Sequence, residues 1–177
     1  MSEANHLVSA DGTVRLWPYA RGVYPRDTLY RVWAMIEKEN GHRRLFYAQA
    51  CEHQGERGDL ESFCAQFLGK LVFLVEIGLG RIAGLIWFDQ VQHQTAHINV
   101  WSSKAAFGAP FRQAVHLSLG HVRQAFGWQR VWAYTPWPEA KKLALDCGFK
   151  LEATLVDRVC IEGVWRPLFI LRRELEG

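Results

Sequence analysis

No Cys-x-x-Cys pair occurs in the chain, no apolar run reaches membrane-spanning length, and no cluster of basic residues stands out. Each absence excludes something. The four cysteines, Cys51, Cys64, Cys147 and Cys160, lie far apart, so a disulfide framework is not expected and free thiols in a reducing compartment are. Cys51, His53 and Cys64 supply only part of a zinc ligand set, and the usual spacing offers no fourth ligand, so no metal is expected. Met1–Asp11 is polar and has no apolar core of the kind an export signal needs. The reading is a cytoplasmic protein without a membrane segment. A net charge of +3, with no basic stripe, gives no basis for nucleic-acid binding. Internal repeats, low-complexity stretches and linkers are also missing, so residues 1–177 read as a single domain.

What is present is a globular composition, 49% apolar and 22% charged, in a chain long enough to build a core without staples. Its organising stretch runs from Thr95 to Gly127. Thr95–Trp101 alternates, with Ala96, Ile98 and Val100 on one face and His97, Asn99 and Trp101 on the other. From Phe111 to Phe126 the period becomes helical: Phe111, Ala114, Val115, Ser118, Val122, Ala125 and Phe126 share a stripe. Ser102–Pro110 joins the two, and Pro110 suits a first helical turn. A strand that feeds a helix through such a loop aims unpaired N–H groups and a positive dipole end at one place, which suits an anion such as pyrophosphate.

In chain order, Thr13–Trp17 alternates and is expected to stop at Pro18. A helix follows from Pro25, with Leu29, Val32, Trp33 and Ile36 at helical spacing, to about Gly41. Arg43–Gly58 is a less regular connection. Asp59 reads as the N-cap of a second helix that carries Leu60, Phe63, Cys64, Phe67 and Leu68 on one face and ends at Gly69. Leu71–Ile77 and Arg81–Val91 form a hairpin around Gly78-Leu79-Gly80, and Gln92-His93-Gln94 turns the chain into Thr95–Trp101. After the central helix, Arg130–Thr135 is a strand, Pro138 opens a helix closed by Gly148, and Lys150–Ile161 with Val164–Arg173 make a last hairpin. The order β-α-α-β-β-β-α-β-α-β-β predicts an α/β domain with a mixed sheet flanked by helices. The helix crossover demands that Thr95–Trp101 and Arg130–Thr135 be parallel neighbours, and they are expected to splay at one end.

This order, with Pro138–Phe149 ending in Gly148-Phe149 ahead of the strand Lys150-Leu151-Glu152-Ala153-Thr154, resembles the GNAT (GCN5-related) N-acetyltransferase superfamily over roughly Thr13 to Leu175. The resemblance implies a GNAT-like fold and an N-acetyltransferase that uses acetyl-CoA as co-substrate and a small-molecule or peptide amine as acceptor. It implies that Trp101 and Ser102 line the pantetheine arm, and that Lys104, Ala105, Ala106, Phe107, Gly108 and Ala109 hold the pyrophosphate. Two features depart from the family pattern. No register of the loop satisfies Gln/Arg-x-x-Gly-x-Gly/Ala, since Phe107, Ala106 or Pro110 always falls on a required small residue. Trp137 and Ala144 stand where many members carry asparagine and the tyrosine that reprotonates the thiolate. The second reading is therefore a catalytically inactive GNAT-like module that binds a protein partner.

For the chemistry, His97 is the candidate proton acceptor, oriented by Asn99, and Tyr134 the candidate thiolate donor. Tyr134 lies on the neighbouring strand, and its face relative to His97 depends on the register. Asp89 and Glu76 are candidates for holding a substrate amine. His116 and His121 read as surface residues of the central helix. Trp87, Trp101, Trp132 and Trp137 are candidates for an acceptor groove.

Overall fold

The computed structural model describes residues 6–19, 26–39, 60–65, 67–78 and 80–175. Pro25, Gly41, Arg43–Gly58 and Asp59 lie outside them, and so do Cys51 and His53. Among the described residues the elements are β1 (Leu7–Val8), β2 (Val14–Tyr19), α1 (Arg26–Lys38), α2 (Leu60–Ala65), β3 (Leu71–Ile77), β4 (Ile82–Gln92) and β5 (Thr95–Ser102). They continue with α3 (Ala109–Phe126), β6 (Arg130–Thr135), α4 (Pro138–Asp146), β7 (Lys150–Ile161) and β8 (Val164–Glu174). The eight strands form one mixed sheet in the order β1-β2-β3-β4-β5-β6-β8-β7, in which β5 and β6 are the parallel pair.

Two departures from the sequence reading have simple causes. Pro18 does not end β2; it sits within it, opposite Phe73 of β3. β1 covers only Leu16 and Arg15, so among the described residues the outer side of β2 from Trp17 onward is an edge, where a residue without an N–H is tolerated. The buried stripe of α3 is Phe111, Ala114, Val115, Ser118, Leu119 and Val122. Ala125 and Phe126 lie beyond it, Phe126 being half exposed, because Gly127 in the left-handed region turns the chain away from the sheet.

Helices cover both faces. On one, Phe73, Ile86, Phe88, Ala96, Ile98 and Val131 pack against Phe111, Val115 and Leu119 of α3 and Leu143 of α4. On the other, Val72, Leu74, Leu85, Trp87 and Trp101 pack against Leu29, Val32 and Ile36 of α1 and Phe63 of α2. The alternation of β5 thus puts Ala96 and Ile98 under α3, and His97, Asn99 and Trp101 on the α1 side. None of the described helices is long and apolar enough to cross a membrane.

Arg173 of β8 ties the α3–α4 layer to the sheet. Its guanidinium donates to the Cys147 carbonyl at the end of α4 and lies 3.1 Å from His116 Nδ1. Burial, then the positive charges of Arg173 and Arg112, hold the His116 pKa below its ordinary value. The unfolded chain therefore takes up this proton first, and His116 favours folding above the ordinary histidine pKa of about 6.5. Stability should fall as pH drops from 7.5 to 5.5, and His116→Gln should flatten that slope. Urea midpoints at the two pH values measure this, and identical slopes would refute it.

Candidate functional site

The site is where the sheet opens. Only Thr95–Arg130, Ala96–Val131 and His97–Trp132 pair across β5 and β6. Beyond them β5 runs on to Ser102 and β6 to Thr135, so the two part at their C-terminal ends. Among the described residues, β5 from Ile98 onward has a strand partner on its β4 side and none on the other. The N–H and C=O groups that alternate toward the gap there are available to an extended ligand.

A cavity of about 500 Å³ occupies this gap. Asn99, Trp101 and Ser102 of β5 form one wall, with Lys104 and Phe107 of the following loop. Ala133 and Tyr134 of β6 form the opposite wall, and Trp137, Leu143, Ala144 and Cys147 close it from α4. The Trp137 N–H bonds the Thr135 hydroxyl at 3.1 Å, which fixes the turn that delivers Pro138 to the first turn of α4. Burial pushes the Cys147 thiol up to about 11, so the wall carries a protonated thiol at neutral pH and not a nucleophile.

The loop after β5 is more committed than its sequence implies. The Ser103 N–H bonds the Ala83 carbonyl, those of Ala106 and Phe107 bond the Ser103 carbonyl, and that of Lys104 bonds the Glu39 carboxylate at 2.9 Å. Arg112 makes the first helical bond, to Gly108. Among the described residues, the N–H groups of Ala105, Gly108, Ala109 and Phe111 have no backbone acceptor, and the N-cap Gly108 brings no side-chain cap. α3 therefore presents a bare N-terminus. Pro110 does no harm there, because the N–H it lacks would be one of the unpaired ones. Of the expected cofactor residues, Trp101, Ser102, Lys104 and Phe107 line the cavity; Ala105, Gly108 and Ala109 belong to the adjoining helix start, and Ala106 is buried beneath the loop.

At the vertex of the opening, the β5–β6 register puts Trp132 opposite His97, and so Tyr134 on the same face as His97. The two rings stack with centroids 4.6 Å apart. Asn99 and Tyr134 reach the cavity wall; His97 lies behind them, nearly buried. Its Nδ1 is 2.9 Å from Asp89 Oδ1, while its Nε2 is buried and has no partner among the described residues. Asn99 Nδ2 donates to Asp89 Oδ2 at 3.1 Å and stands 3.4 Å from His97 Nδ1, a contact whose donor and acceptor follow from the imidazole tautomer.

Asp89 and Glu76 are not open to a substrate amine. Asp89 accepts from His97, Asn99 and, at 3.2 Å, from Lys70 Nζ. Burial raises its pKa, but the hydrogen bond and charge of His97, then those of Lys70, outweigh burial and hold the carboxyl below its ordinary value. Glu76 accepts from Trp17 Nε1 at 2.8 Å and from the Gly80 N–H at 2.9 Å, with Arg15 alongside. Of the four candidate groove tryptophans, Trp87, Trp101 and Trp137 touch the cavity, and Trp132 lies under the Arg172 guanidinium. Of the two helix histidines, His121 is half-buried against Phe73, not a surface residue.

No protein-family model matches the chain, and no curated protein matches it. Solved structures do. Spermidine N-acetyltransferase from Vibrio cholerae, solved with CoA and spermine, is similar at TM-score 0.72 and 16% identity, over 92% of this chain and 96% of its own. The Salmonella typhimurium acetyltransferase that modifies the N-terminal serine of ribosomal protein L7/L12 is similar at TM-score 0.75 and 12% identity, over 96% and 99%. RimJ of Mycobacterium smegmatis, solved with CoA-disulfide, is similar at TM-score 0.65 and 19% identity, over 96% and 86%. The chain has the fold of the GNAT N-acetyltransferases, as its element order implies.

Proposed function

We propose that this protein is an N-acetyltransferase that moves the acetyl group of acetyl-CoA to the primary amine of a small molecule or peptide. One observation carries the reading: β5 and β6 part after His97 and Trp132, and a cavity there leads from an unpaired strand edge to a bare helix N-terminus. The acyl-phosphopantetheine arm of an acyl-CoA is long, amide-bearing and anionic at its phosphate end, and this combination fits it. Similar structures hold CoA, and two of them act on a polyamine and on a protein N-terminus, which supports an amine acceptor.

In this reading the pantetheine amides pair with β5 between Ile98 and Ser102, beside Trp101. The pyrophosphate meets the N–H groups of Ala105, Gly108, Ala109 and Phe111, with Lys104 as its counter-charge. The thioester then lies near Asn99 and Tyr134. The amine nitrogen attacks the carbonyl carbon, the C–N bond forms and the C–S bond breaks. The amine's proton passes through one water to His97 Nε2, and the Tyr134 hydroxyl protonates the leaving thiolate. Direct transfer agrees with the thiol in the wall, Cys147, being held protonated by burial.

Acetyl-CoA at a hundred times its Kd should stabilise the fold by about 2.7 kcal/mol. That is roughly 5–10 °C in Tm for a domain of this size. Lys104→Glu should weaken binding roughly 10–100-fold, the worth of a charge-assisted contact of ~1.5–3 kcal/mol, and reduce its salt dependence. An unchanged affinity at low salt would place the pyrophosphate elsewhere. No thermal shift with millimolar acetyl-CoA would leave the partner-binding module as the reading.

A further inference from the structure

We infer that Asp89 is a positioning residue for proton transfer: held by Lys70 and Asn99, it fixes His97 as the Nδ1–H tautomer and so keeps Nε2 as a proton acceptor. The inference rests on the acetyltransfer reading for its use, but its geometry stands by itself. A carboxylate only accepts hydrogen bonds, so the 2.9 Å contact between Asp89 Oδ1 and His97 Nδ1 places the proton on Nδ1. The lone pair is then on Nε2, which is buried and meets no partner among the described residues. An unpaired buried nitrogen carries a desolvation cost, and a site that receives a proton or an ordered water gives it a use.

The carboxylate cannot turn away from this task. Its second oxygen, Oδ2, accepts from Lys70 Nζ at 3.2 Å and from Asn99 Nδ2 at 3.1 Å. The three contacts on the carboxylate come from two segments. Lys70 precedes β3, while Asn99 and His97 are both on β5, where His97 pairs with Asp89 across β4 and β5. Tyr134, stacked on the imidazole from β6, limits its tilt. Each of the two groups on Oδ2 has its own part. Lys70 adds its charge and hydrogen bond to those of His97 in holding the carboxyl below its ordinary value, and Asn99 fills the remaining lone-pair direction. An aspartate near a strand end would ordinarily be solvated; here the sheet places it between an ammonium, an imidazole and an amide.

The test is Asp89→Asn, read first by ¹⁵N NMR of the His97 imidazole in the free protein at neutral pH. The unsubstituted protein should show a protonated Nδ1 and an unprotonated Nε2. In Asp89→Asn the carboxamide can turn its NH₂ toward Nδ1, and the protonated and unprotonated signals should exchange or mix. Turnover with spermidine or a seryl peptide should fall by about 10²-fold or more in kcat, with KM for acetyl-CoA unchanged. Lys70→Met, which leaves Asp89 in place, should produce a smaller loss and keep the Nδ1–H tautomer. An Nε2–H tautomer in the unsubstituted protein overturns the inference without any variant. So does an Asp89→Asn protein that keeps both the tautomer and kcat. Failure of the unsubstituted protein to transfer acetyl groups, with the Nδ1–H tautomer in place, would sink the acetyltransfer reading and leave the tautomer assignment standing.

Discussion

His97→Ala should lower turnover by about 10²–10⁴-fold while acetyl-CoA still binds with near-normal affinity. The two halves of this expectation have separate sources. His97 does not line the cavity wall, so its removal takes nothing from the surface on which the pantetheine arm lies. What it removes is an imidazole nitrogen that is buried at the vertex of the opening and has no partner among the described residues. Tyr134 would lose the ring it stacks on, and Asp89 would keep Lys70 and Asn99. The loss should therefore appear in kcat more than in KM, the mark of an interaction made in the transition state. Tyr134→Phe keeps the stacked ring and removes only the hydroxyl, so it separates the donor role from packing. Near-normal turnover in both variants, with acetyl-CoA bound, would show that the proton leaves by another route.

The parts of this site that were legible in the sequence are those set by period and connection. The alternation of Thr95–Trp101 put His97, Asn99 and Trp101 on one face, and a helix crossover between two strands forced the parallel pair that opens into the cavity. What was not legible depends on register between strands. Tyr134 shares a face with His97 because Trp132, not Val131, lies opposite His97, and no pattern within either strand determines that. Asp89 reads as a strand-end charge until the β4–β5 register sets it beside His97 and the β3–β4 register brings Lys70 to its other oxygen. The loop is a third case. Its sequence gives six residues that could cradle a phosphate, but the turn closes on the Ser103 carbonyl and Glu39 reaches in from the end of α1. Pro18 shows the same dependence on neighbours, since a proline stops a strand only where its missing N–H faces another strand.

Gly84→Ala should destabilise the protein by about 3 kcal/mol or more and weaken acetyl-CoA binding further than the stability loss alone would explain. Gly84 lies inside β4, opposite Val75 on one side and Ser102 on the other. A Cβ added there would stand 2.4 Å from the Trp101 carbonyl oxygen and 2.6 Å from Cε2 of Phe111. Neither neighbour can give way cheaply. The first is backbone of β5 at the cavity wall, and the second is a fully buried ring in the first turn of α3. The glycine thus lets Phe111 sit directly on the sheet, and this sets the height of the helix start whose N–H groups face the cavity. A methyl group must push back either the strand that would hold the pantetheine arm or the helix that would hold the phosphates. Gly120 provides the contrast. It is a helical glycine in α3 whose added Cβ would meet nothing within 4 Å, so Gly120→Ala should stabilise by about 0.4–1 kcal/mol. At roughly 2–4 °C per kcal/mol for this size, Gly84→Ala should lower Tm by roughly 6–12 °C, while Gly120→Ala raises it slightly. A Gly84→Ala protein that melts within a degree of the unsubstituted one, and binds acetyl-CoA as tightly, would mean that Phe111 does not set the position of α3.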